Sequence, residues 1–256
     1  MLLRNIILTA LIASVIAGLT LGVLQSFSTI PVIYGAENYE VAGDAPMTEA
    51  LHTDKHAHSH SGSDTEEWAP ADGAERISYT FLANILIAFG HSLLLTSFMA
   101  LMFLKFGRPN ISWKSGLLIG LGGYLSFYLA TVIGLAPEVP GTIVANLQDR
   151  QLWWTLTIVA TITGLSTLYL ASSAFKIIGF IFIILPHVIG APHPEIAGFL
   201  NQDPSAILAL EKLEHQFLIS TAWVNLVYWL ILGAVSGALA NRFFKIDKPE
   251  NAFNPA

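Results

Sequence analysis

Four histidines and an aspartate fall within one short stretch, His52-Thr53-Asp54-Lys55-His56-Ala57-His58-Ser59-His60. Neutral imidazole is a good ligand for zinc, copper, nickel and cobalt, and alternate histidines (His56, His58, His60, with His52 one short step before them) on a flexible segment can wrap an ion. The expected role is capture, buffering or delivery of a divalent cation, with an ordinary polar linker as the alternative. A second constellation is scattered in sequence but falls where hydrophobic runs end. Glu37 and Glu40 follow the first run, Glu138 sits between Pro137 and Pro140, and Asp149 and Arg150 precede the fourth run. The stretch from Pro186 to Glu195 adds His187, His193 and Glu195. Together these offer imidazole and carboxylate at one depth, suited to admitting a metal ion. Its prolines and Gly190 are expected to break the helix there, and irregular backbone at membrane depth is tolerated where it is buried in protein or lines a wet cavity.

His91 differs from both groups because it lies near the middle of a hydrophobic run, where an ionisable side chain is costly and points to function. Asn84, seven residues earlier, is expected on the same helical stripe, and Met99 and Met102 continue it. His91 is therefore a candidate internal waypoint for an ion, the alternative being a neutral histidine hydrogen-bonded between helices. His215 and Asn225 align less closely along the last run. The chain has no Cys, so thiolate metal sites, disulfides and a cysteine nucleophile are excluded. It also lacks the Gly-x-x-x-x-Gly-Lys-Ser/Thr loop that binds ATP and the His-Glu-x-x-His pair of metalloproteases. No enzyme is expected. Inward movement of a divalent ion gains about 4.6 kcal/mol per 100 mV of membrane potential, so ATP hydrolysis is not strictly needed to drive it.

The elements that must position these residues follow from hydropathy. Of 256 residues, 54% are hydrophobic and only 12% charged, a composition of a membrane protein. A crossing helix needs about 20 apolar residues. Runs at 6–33, 79–106, 116–136, 153–172 and 217–244 meet that length, and a shorter run at 177–190 contains Pro186. The first run is expected to be a retained helix, since it is longer than the apolar part of a signal peptide and no small-residue cleavage site closes it. The predicted fold is an all-α integral membrane protein, a bundle of about six, alternatively five, transmembrane helices in one membrane domain covering residues 1–256. Glycines four apart, Gly18 and Gly22, Gly116 and Gly120, Gly233 and Gly237, are expected to let helices approach closely.

Lysine and arginine are retained on the cytoplasmic side of membrane helices. Six spans with both termini inside place 8 basic residues in the cytoplasm and 4 outside, and leave 16 of the 18 acids outside. The expected location is the inner membrane of the cell, with the histidine and carboxylate groups on its outer face. The loop at 34–78 carries ten acids and is rich in Ala, Ser, Gly and His, so it is expected to be a disordered tether or antenna.

Five motifs in order resemble the CbtA family, proposed subunits of a bacterial cobalt transporter linked to cobalamin synthesis. They are Ala36-Glu37-Asn38-Tyr39-Glu40, Trp68 to Arg76, Gly134-Leu135-Ala136-Pro137-Glu138-Val139-Pro140-Gly141, Arg150-Gln151-Leu152-Trp153-Trp154, and Leu185-Pro186-His187 through His193-Pro194. The resemblance implies Co2+ as substrate and a small single-span, histidine-bearing partner called CbtB. It also implies five spans rather than six. The expected function is uptake of a divalent metal, with no prosthetic group, no nucleic acid and membrane lipid as surroundings. Two alternatives remain: a b-type haem electron carrier with His91 and His187 as axial ligands, and a metal-binding scaffold or sensor that transports nothing.

Overall fold

The computed structural model describes residues 2–40, 70–105 and 111–244. Those residues form helices α1 (Leu2–Phe27), α2 (Thr29–Glu40), α3 (Ala74–Lys105), α4 (Trp113–Tyr124), α5 (Ala130–Gly134), α6 (Leu147–Leu170), α7 (Lys176–Ile189) and α8 (Pro204–Phe244). A π-helical turn, Leu125–Leu129, joins α4 to α5, so the span runs unbroken from Trp113 to Gly134. Five helices are long and apolar enough to cross a membrane: α1, α3, the α4–α5 span, α6 and α8. The sixth hydrophobic run is α7, whose 14 residues rise only about 21 Å, against a hydrocarbon core of about 30 Å. It returns antiparallel along α6, with Gly164 against Gly179 near one end and Trp153 against Pro186 near the other.

Helix boundaries differ from the hydropathy runs in an instructive way. The first run divides at Ser28, and α2 carries the helix on to Glu40, so Tyr34 to Glu40 belong to a helix rather than to the acidic loop. At the loop's other end α3 begins at Ala74. Polar residues prolong these helices because the backbone closes its own hydrogen bonds beyond the membrane as well as in it. Pro186 lies within α7 without ending it. Near the last turn its missing N–H removes one helical bond, while its carbonyl accepts from the Trp153 indole at 3.1 Å and from Gly190 at 3.0 Å.

Packing of the bundle depends on glycine in the way the spacing predicts. Gly116 and Gly120 meet Gly233 and Gly237, pressing the backbones of α4 and α8 together. A Cβ on Gly233 would sit 2.8 Å from the Gly120 Cα, and one on Gly18 would sit 2.6 Å from the Ile85 Cα of α3. With no hydrophobic drive between helices in lipid, such close van der Waals contact is what holds them. The main core lies among α1, α3, α4 and α8 and contains Ala17, Ala88, Met99, Tyr228, Trp229 and Leu232. Asn5 of α1 donates to the Phe243 carbonyl of α8 at 3.1 Å, so the first and last helices end at one face.

Candidate functional site

A second, smaller core at the opposite face explains how distant segments come together. Val32 and Ala36 of α2, Val139, Phe199 and Leu210 of α8 bury one another there. Above them two loops pair: Ile143 donates to the Gly198 carbonyl at 2.8 Å and Leu200 to that of Gly141 at 2.9 Å. The Asn201 amide ties both to the end of α2 through the Tyr39 carbonyl at 2.9 Å. Gly198 holds φ at 132°, a conformation that a residue with a Cβ rarely adopts. Asp203 then caps α8, accepting from the Ser205 amide at 2.9 Å. Those hydrogen bonds, the backbone one to Ser205 foremost, hold the Asp203 carboxyl below its usual range.

On this platform the predicted carboxylates gather, but mostly with arginines. Arg76 of α3 donates through both nitrogens to Glu37, and one of them reaches Asp72 at 3.3 Å. Its guanidinium also lies 4.9 Å from the Tyr34 ring centre. Arg150 donates through a single guanidinium nitrogen to Glu138. Glu40, Asp149, His193 and Glu195 are exposed, and His187 is half-buried with its ring edge-on to Trp153, centroids 5.9 Å apart. Among the described residues no three His, Asp or Glu side chains converge on a point that could hold an ion. His52, His56, His58 and His60 lie outside the described residues. Sequence reading passed over Glu214 of α8, a half-buried carboxylate within electrostatic reach of Glu138 and Glu211.

Deep in the bundle, His91 is held on three sides by aromatic rings. Its Nδ1 is 2.9 Å from the Tyr228 hydroxyl, and its ring centre lies 4.7 Å from Phe127 and 4.6 Å from Trp229. The ring borders a largely apolar cavity of about 470 Å3 between α3, α4 and α6. Asn84, expected on the same stripe, turns to α1 instead and donates to Gln25 at 2.6 Å. Met99 and Met102 are buried, and Met99 belongs to the main core, which accounts for both as packing residues. Asn225 donates to the Thr221 carbonyl one turn back, and His215 is exposed.

Such a bundle, with several helices long and apolar enough to cross a membrane, is that of a multi-pass membrane protein. The chain belongs to the CbtA family, described as a probable cobalt transporter subunit, whose family model matches residues 3–241. Membership in a family of transporter subunits implies a metal substrate and other subunits, and implies no enzymatic activity. No curated protein and no solved structure matches the chain.

Proposed function

We propose that this chain is the membrane subunit that admits a divalent cation, cobalt foremost, into the cell, feeding cobalamin synthesis. Family membership over residues 3–241 carries the reading, and the meeting of α2, two glycine-turned loops and the start of α8 at one acidic end supports it. In this reading that end faces outward in the inner membrane and both termini lie in the cytoplasm, as the distribution of lysine and arginine predicts. His52, His56, His58 and His60 collect the ion. His193, Glu195 and Glu40, exposed on the same end as the two ion pairs, receive it. Glu37 and Glu138 serve it only when their arginines let go, and His187 and His91 are later stations. CbtB, the small histidine-bearing subunit, is the expected partner.

Vesicles reconstituted with the purified chain, alone and with the small partner, test this. Radiolabelled Co2+ should accumulate when the interior is made negative, ahead of Ni2+ and Zn2+. Binding without internalisation in both preparations would instead establish a scaffold or sensor.

A further inference from the structure

We propose that the cation crosses the bundle along one stripe of α8, from Glu214 past Thr221 and Tyr128 to the Tyr228–His91 pair. The inference rests on the transport reading above and names the route that reading lacks. Glu214, Thr221 and Tyr228 recur at intervals of seven residues, a spacing that stacks side chains on one helical face. Helical rise puts Thr221 about 10 Å and Tyr228 about 21 Å below Glu214, most of the way through a hydrocarbon core of about 30 Å. Each level carries a polar group that the bundle buries. The Tyr128 hydroxyl, on a side chain only 8% exposed, lies 2.9 Å from the Thr221 hydroxyl and 3.3 Å from the Leu218 carbonyl. Below it the Tyr228 hydroxyl, 1% exposed as a residue, meets His91. Beyond that pair Ser92 and Ser236 face each other at 3.1 Å, toward the opposite face.

The π-helical turn is what brings the first of these levels into place. Its closing bond runs from the Ala130 amide to the Leu125 carbonyl, five residues back. The same turn presents Tyr128 to α8 and Phe127 to His91, and sets Ser126 in the wall of the cavity that His91 borders. Such turns are rare in helices and recur at functional sites. Hydroxyl, carbonyl, imidazole and carboxylate can replace the waters of a borderline divalent ion one at a time.

The two polar seams differ in which carboxylates their mouths keep. Among α1, α2 and α3 a cavity of about 170 Å3 is lined by Gln25, Tyr34 and Arg76, and Gln25 also accepts from Asn84. There the carboxylates of Glu37 and Asp72 are taken up by the Arg76 guanidinium. At the α8 mouth Arg150 is bound to Glu138, and the half-buried Glu214 lies within electrostatic reach of Glu211, with Lys212 between them in the chain, two acids to one base.

Because the chain contains no Cys, single cysteines can be placed without background. In the full chain in vesicles, Thr221→Cys and Asn225→Cys should react with a membrane-impermeant, charged thiol reagent about tenfold faster than the lipid-facing Ile219→Cys and Trp223→Cys, since only a hydrated thiol ionises. Co2+ should slow the stripe positions, and adding Glu214→Gln should remove most of that protection. Equal rates at all four positions would overturn the route, and so would stripe reactivity that Co2+ leaves untouched. Cobalt-protected stripe positions in vesicles that accumulate no cobalt would keep the route and reject transport by the reconstituted chain.

Discussion

At the scale of residues, the acidic end is governed by two arginines. Each takes up a carboxylate that composition alone offers to a metal: Glu37 goes to Arg76 and Glu138 to Arg150. The side chains of these pairs are between a quarter and a third exposed, so each pair stabilises by about 1 kcal/mol or less. Arg76→Ala and Glu37→Gln should each lower the thermal midpoint slightly, and the double variant should be no worse than the more damaging single one. A melting series in detergent checks this; fully additive losses would mean the groups act separately. His91 was legible as a residue out of place in an apolar run, and its aromatic setting was not, because Phe127, Tyr228 and Trp229 arrive from two other helices. Losing the hydroxyl in Tyr228→Phe leaves a buried imidazole nitrogen without its partner, at a cost of about 1–3 kcal/mol. A variant as stable as the parent would show that the contact is not made in solution.

At the scale of elements, glycine spacing foretold which helices touch closely, and the structure adds that the pairs on α4 and α8 meet each other. Gly233→Leu should therefore push those helices apart and cost about 1–3 kcal/mol or more, whereas Gly122→Ala, where a Cβ meets nothing within 4 Å, should be close to neutral. Thermal unfolding of the two variants side by side decides the matter. Asp203 makes a second prediction. Its carboxyl titrates below the unfolded value, so its support for α8 is present above the ordinary carboxylate range near pH 4 and is lost as pH falls through the lowered value. Amides at Ser205 and Ala206 should exchange faster in Asp203→Ala at neutral pH, and the gap between variant and parent should narrow in acid. Hydropathy marked the apolar part of each helix well and the polar extensions poorly, because Tyr34 to Glu40 and Pro204 to Gln216 are helical for reasons of capping and local packing that carry no apolar signature. The π turn was illegible for a related reason: its sequence, Leu125-Ser126-Phe127-Tyr128-Leu129, reads as ordinary helix.

At the scale of the whole molecule, chain direction is consistent with six passes although only five helices have full length. The short α7 brings the chain back to the acidic end, and α8 then runs about 61 Å, long enough to begin outside the bilayer and still cross it. A fluorescent protein fused after Phe244 should fold and emit, marking a cytoplasmic end, while a phosphatase inserted near Glu195 should be active outside. Reversed signals would invert the proposed orientation. Charge sorting is the sequence's argument for this orientation, whereas the meeting of Tyr39, Val139, Phe199 and Leu210 in one small core depends on long-range contacts that no local pattern records. The central claim is that this subunit brings cobalt into the cell. Its most direct test is accumulation of radiolabelled Co2+ in cells of the native host with and without the chain, at low external cobalt and with the membrane potential held constant. Loss of most uptake on deletion, restored by the intact chain, is the predicted result; equal uptake in both strains would contradict it.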